Sequence, residues 1–566
     1  LNTDIVFSRP NYCKIDLMVE NQRGDNLFMQ ENELDMLKDC LKKHGVEGGL
    51  QGLLDISVAA GERYGITVKP TCDAKYLEVG ISSKSLERLI ENLEQVTEMH
   101  GIVVMRHEKI CAEGWWAPYA PGIRHSLHSL SKTYSATAVG IAVTEGKVSL
   151  DEKILSIFSE KAPENPDEYL KQLTVKDILC MGSGMERLPE VTENWLQAYL
   201  EVPIKHRPGT AFQYNSVGST LLCAIVERKT GIPTEEYLKS RLFDKIGIDS
   251  DNFLFERMPD GTVFGGGGFY ATTEDNLRLM KLYKDGGVWD GERILSEEYV
   301  KMAISKQIDT ATEKNGNPEA TDNFLGYGFQ IWVCQPENVY RADGAMGQFS
   351  IVFPDQDMII SVNETASNAH WAQNTLDEIW KFAREVREET LPEDEAASTH
   401  LKEKLSHLSL EAPCRQCSRN REKESEINGK CYFVSEGRMG FETEIQNSHA
   451  GLKPLEGITE FTMRFVPGTC EMKFCQQGKE HEVLIATDGS WRWNRLKLDG
   501  RVNSELCLSG YWEDKNCFVV HARWIETCYE NELKFCFEKD QVHMSRMNKV
   551  GRYMTSQPLT ATAQKA

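Results

Sequence analysis

At 566 residues, with 40% hydrophobic and 27% charged residues, the chain has the make-up of a soluble globular protein and is too long for one ordinary core, so two to four domains are expected. Its net charge of −22 argues against nucleic-acid or anionic-membrane partners, which it would repel. No apolar run is long enough to span a bilayer, so no membrane span is expected.

Residues 1–80 form an N-terminal segment with no functional reading. Leu1 to Lys14 lack a basic start followed by an apolar stretch, so a cytoplasmic location is the expectation. The sixteen cysteines are scattered and read as reduced thiols. Cys414 and Cys417 make one CxxC in a polar stretch, without the closely spaced second pair a zinc site wants, so no metal is expected. Glu31 to His44 and Gly48 to Tyr64 carry helical apolar spacing.

The main domain is expected over 81–388. Ser83 to Met99 reads as an amphipathic helix. Gly101 to Arg106 and Lys109 to Trp115 read as strands joined by the turn His107-Glu108. Trp115, Trp116 and Tyr119 form either one wall of an apolar pocket or core. Ser129-Leu130-Ser131-Lys132 follows, then the Ala/Val/Ile-rich run Tyr134 to Val143, which reads as a buried helix. If that helix begins near Ser129, residues three apart share a face and the Lys132 amine reaches the Ser129 hydroxyl. A serine hydroxyl is a weak nucleophile until a base takes its proton. A lysine acts as that base once burial has lowered its pKa. Taken alone the motif is also what a capped helix start with a solvent-facing lysine would look like. His125 and His128 flank the serine, but a triad would need a carboxylate that the sequence does not place.

Val148 to Phe158 and Val175 to Met181 add helical pieces. Arg207-Pro208-Gly209-Thr210 makes a turn, and Tyr214-Asn215-Ser216 follows it before the apolar helix Leu221 to Lys229. Gly265 to Gly268 lacks the Lys and Ser/Thr of a phosphate loop, so close backbone packing is its reading. Gly326 to Cys334, Val339 to Asp343 and Gln348 to Val362 read as strands, the last turning at Pro354 to Asp357. Trp371 to Arg387 closes the domain as a helix. Strands near both ends with helices between them make an α+β pattern with an antiparallel sheet. Residues 389–430, charged and irregular, read as a linker whose start is partly helical. Residues 431–556 switch to short alternating strands, a small β-rich domain of sandwich or barrel class. Its Trp491, Trp493, Trp512 and Trp524 read as core.

On these motifs, residues about 82–386 resemble the serine β-lactamase-like family of class C β-lactamases, DD-peptidases, esterases and nylon-oligomer hydrolases. The first motif matches Ser129-Leu130-Ser131-Lys132. The second matches Tyr214-Asn215-Ser216, about 85 residues on. The resemblance implies a β-lactamase/transpeptidase-like fold: an antiparallel sheet with flanking helices plus an all-helical region. It also implies a covalent acyl-enzyme made by Ser129 on a small amide or ester substrate, without a cofactor. Lys132 and Tyr214 would share the base role. Backbone N–H groups of Ser129 and Ala345, after Gly344, would hold the oxyanion, and Asn215 or Ser216 would bond the substrate or Lys132.

The third motif departs from the family. Where many relatives carry Lys-Thr-Gly or His-x-Gly, this chain has Ala342-Asp343-Gly344 and lacks the cation that helps hold a substrate carboxylate. If Ala342 faces the pocket, alternation points Arg341 and Asp343 away from it. A neutral or differently charged ester or amide then fits better than a β-lactam or a peptidoglycan peptide. The alternatives are a non-catalytic or slowly acylated sensor using the same pocket, and a recognition role for the C-terminal β domain.

Overall fold

The two ends of the first domain build one sheet. Hairpin Thr97–Arg106 and Lys109–Trp115 pairs along Met358–Ala366, which pairs in turn with Gln348–Phe353, Tyr340–Gly344 and Trp332–Val333. All five junctions are antiparallel. The computed structural model describes residues 75–566 except 312–316, 367–371, 393, 414–418, 443–453 and 550–558, and before them three short strands, Ile5–Arg9, Tyr12–Met18 and Thr67–Lys69. The expected helices between 31 and 64 and the Cys414/Cys417 pair lie outside the described residues.

The His107-Glu108 turn fits the hairpin because both residues take positive φ, 47° and 63°, the geometry whose twist matches the strands. The strand extends back to Thr97, so the preceding helix ends at Val96 rather than Met99. Of the expected strand 326–334 only Trp332–Val333 joins the sheet; Gln330 takes φ 57° and buries its amide on the Leu179 carbonyl instead.

Helices Ser83–Val96 and Gln373–Ala383 pack against one face of the sheet. Helix Thr273–Lys284 covers the other face. Beyond it, Ser131–Thr144 crosses Ser216–Thr230 at the centre of the helical region. Ser131–Thr144 is buried almost all round, as a helix without a polar face must be.

Within the stretch expected to be a linker, Glu395–Ser406 is a helix that buries Leu401 and Leu405 against Ser83–Val96. These leucines sit four apart, a one-face spacing that surrounding charge obscures.

The C-terminal domain is a ten-stranded sheet that closes on itself through Ala486 and Ser509, a barrel. Its last strand, Leu559–Lys565, lies beyond the expected end at 556. Trp512 and Trp524 lie in its core, whereas Trp491 and Trp493 pack at the seam with Tyr119, Ile123 and Ile525. Cys517 and Cys536 face each other across adjacent strands as a disulfide, which corrects the expectation of reduced thiols throughout.

Candidate active site

Ser129 stands on a tight turn. Strand His125–Ser126 pairs with Phe269–Ala271, and the 3-10 turn His128–Leu130 then runs into helix Ser131–Thr144. His128, directly before the serine, has φ 46°. A non-glycine residue pays on the order of 1 kcal/mol for that left-handed geometry, so its surroundings must hold it.

One turn on, the buried Lys132 amine donates to Ser129 Oγ at 2.7 Å and to the Gly266 carbonyl. It lies 4.8 Å from the centre of the Tyr214 ring. Burial pulls this ammonium down to about 7, while the carboxylate of Asp343 acts in the opposite sense. Gly266 is there for packing: a Cβ on it would come within 2.1 Å of the Ser216 carbonyl oxygen. That tightness matches the packing reading of the glycine run, and the carbonyl ligand it gives Lys132 was invisible in the sequence.

Tyr214 comes out of the Pro208-Gly209 turn, just before helix Ser216–Thr230. Its phenol hydrogen-bonds with Ser129, and burial pushes its pKa above the ordinary tyrosine value. The ring stacks on Trp332 at 5.9 Å, with Phe212 and Tyr327 beside it. Hydroxyl, amine and phenol thus meet in one volume, the first two as their helical spacing predicts and the phenol as the resemblance implies. The structure also separates Asn215 from Ser216. Asn215 caps the helix, accepting from the Gly218 N–H at 2.9 Å, and turns its amide nitrogen toward Met185. Ser216 stays half-buried beside Gly266.

Gly344 ends its strand against the Ser129 turn. A Cβ there would sit 2.1 Å from the Leu127 carbonyl oxygen and 3.1 Å from the Leu130 nitrogen. Ala345 follows it in the hairpin turn, beside Met346 and Gly347, which both take positive φ. Ala342 is fully buried in the core that helix Thr273–Lys284 covers. Alternation therefore puts Arg341 and Asp343 together on the opposite face, joined at 2.8 Å. Both lie close enough for their charges to act on Tyr214, and Asp343 acts on Lys132 as well. This corrects the expectation that the two charged residues turn away.

The histidines are structural. His125 is buried between the Ser126 carbonyl and His100 Nδ1, each at 3.0 Å. His128 points at Cys528 Sγ, 3.4 Å away. Trp116 is core, its indole N–H on Glu94, and Tyr119 stacks on His100.

The family model described as Beta-lactamase matches residues 86–376, slightly more than half of the chain. Among curated proteins, the 6-aminohexanoate-dimer hydrolase of Paenarthrobacter ureafaciens is 27% identical over 252 residues, 39% of this chain and 62% of that protein. The chain thus spans less than two thirds of that relative's length. Penicillin-binding protein 4 of Amycolatopsis lactamdurans is 25% identical over 257 residues, covering 39% of this chain and 66% of that protein. Among solved structures, the octameric penicillin-binding protein homologue from Pyrococcus abyssi is 13% identical with a TM-score of 0.41, covering 85% of this chain and 99% of that one.

Proposed function

The chain belongs to the beta-lactamase family, and from that premise we propose that it is a serine hydrolase cleaving a small amide or ester through a covalent acyl-enzyme. The observation that carries this reading is the buried Lys132 amine, 2.7 Å from Ser129 Oγ and held near neutrality at about 7.

In acylation Lys132 takes the Ser129 proton as Oγ bonds to the substrate carbonyl carbon. The resulting oxyanion lies between the N–H groups of Ser129 and Ala345. Collapse of the adduct breaks the C–N or C–O bond, and the Tyr214 phenol protonates the leaving group, recovering its proton from Lys132. Water, deprotonated by the same pair, then releases the acid and regenerates Ser129. A phenol raised above its ordinary pKa suits this role, because it stays protonated where the amine is free.

Asp343 and Arg341 beside Tyr214, in place of the usual lone cation, favour a neutral or differently charged substrate over one held by a free carboxylate. The relative named 6-aminohexanoate-dimer hydrolase is a hydrolase of a small molecule, in keeping with a small substrate here, and no nucleic acid is part of this reading.

The test is a fluorophosphonate probe with mass spectrometry, paired with turnover of a chromogenic ester. Labelling at Ser129 and turnover lost in Ser129→Ala are the expected result. Stable acylation without turnover would replace the enzyme by a sensor, and label elsewhere would sink the reading. A pH profile adds a second check. kcat/KM should rise with pH through about 7, as Lys132 loses its proton. In Asp343→Asn the limb should move to lower pH, since the carboxylate that supports the ammonium is gone; movement to higher pH would contradict the assignment.

A further inference from the structure

Besides the seam at Trp491 and Trp493, the barrel meets the first domain through the turn between strands Cys517–Trp524 and Tyr529–Glu538. Three successive carbonyls of that turn accept from the first domain. Glu526 takes the Ser126 N–H at 2.7 Å, Thr527 the Tyr119 hydroxyl at 3.0 Å, and Cys528 the Thr365 hydroxyl at 3.0 Å. The buried Glu526 carboxylate pairs with Arg124 at 2.5 Å. Ser126 and Arg124 belong to the segment leading into Ser129, and Thr365 to the strand beside the Ala345 turn.

The side chains continue the same contact. Cys528 Sγ lies 3.4 Å from His128 Nε2, and the Tyr529 ring meets the His128 imidazole edge-on at 5.7 Å. Cys528 and Tyr529 also pack with Met346 and Ala345 in one apolar cluster. The two elements they touch are those that would carry the oxyanion donors. One is the left-handed residue before Ser129; the other is the turn holding Ala345. Left-handed geometry at a histidine is held in place by its neighbours, and here Cys528 and Tyr529 of the barrel are among them, beside the strand end at Gly344.

We propose that the barrel turn is a positioning element of the catalytic site, in which Cys528 and Tyr529 brace His128 and Ala345 and so set the spacing of the two oxyanion N–H groups. The proposal rests on the serine-hydrolase reading for its catalytic consequence, and on geometry alone for its structural one.

Full-length Tyr529→Ala and Tyr529→Phe test both parts. In Tyr529→Ala, kcat for a chromogenic ester should fall about 10- to 100-fold with KM little changed, because a misplaced oxyanion donor is felt in the transition state. Tyr529→Phe, which keeps the ring, should restore most of kcat. Hydrogen exchange should accelerate in peptides covering 124–131 and 343–348, while barrel strand Gln541–Asn548 stays protected. Wild-type exchange in those two peptides, or acceleration spread through the whole barrel, overturns the proposal. An inactive wild type would instead sink the hydrolase reading, and exchange alone would then decide this one. Should Tyr529→Ala fail to fold, Cys528→Ala is measured in the same way.

Discussion

Lys132→Met is expected to yield a protein that is more stable than the wild type and inactive. An ammonium with an ordinary pKa of 10.5 is held at about 7 by burial. Between those values the unfolded chain binds the extra proton, so wild-type stability rises with pH across that window and bears its full penalty below it. At pH 7 the penalty is on the order of 4 kcal/mol. Methionine has similar length and carries no charge, so it escapes that penalty. It also loses the bonds to Ser129 and the Gly266 carbonyl, a cost of about 1–3 kcal/mol. The net gain should raise Tm by several degrees at pH 7 and shrink as the pH approaches 10. Turnover should fall by about three orders of magnitude, since the general base is gone. Calorimetry at pH 7 and 10 beside ester kinetics checks both halves. A Tm that falls at pH 7 would mean the lysine is bound as a cation and cannot serve as base.

Gly344→Ala should be the most damaging conservative change in the sheet. Its new methyl would stand 2.1 Å from the Leu127 carbonyl oxygen, which is backbone and cannot swing aside. Either the strand end or the nucleophile turn must retreat, and each carries one of the proposed oxyanion donors. Overpacking of this kind costs about 1–3 kcal/mol. The lost register between Ser129 and Ala345 should lower kcat by about a hundredfold. Ala342→Gly, two residues back in the same strand but facing the core, should soften the fold while leaving kcat within about threefold. Equal kinetic losses at the two positions would remove the special role given to the strand end.

Much of the site is legible in the sequence because its signals are local. Ser129 and Lys132 share one helical turn, and the run after them has no polar face, so helix and burial follow together. Tyr214 is singled out by the resemblance's second motif, and the Pro208-Gly209 turn and the capped helix behind it place it. The sequence leaves the face of Ala342 open, because a small apolar residue fits pocket and core equally well. The pair of buried Arg341 with half-buried Asp343 is what settles the phase. The Gly266 carbonyl carries no side-chain signature. The barrel turn is harder still, since Cys528 and His128 are four hundred residues apart and nothing near either one points to the other. Helix Glu395–Ser406 falls at the partly helical start expected of that stretch, but the charge around its two buried leucines hides that it packs on the first domain.

The pairing of Thr97–Arg106 with Met358–Ala366 has a consequence for biosynthesis. Met105 lies opposite Ile359, so the ladder that joins the first hairpin to the rest of the sheet cannot form until more than two hundred further residues have left the ribosome. Until then the first hairpin exposes an unpartnered edge, and closing so long a loop is slow. The nascent chain should therefore be a strong client of chaperones that shield exposed strands, and it should acquire its sheet late, in a single step, rather than growing it from the N-terminus.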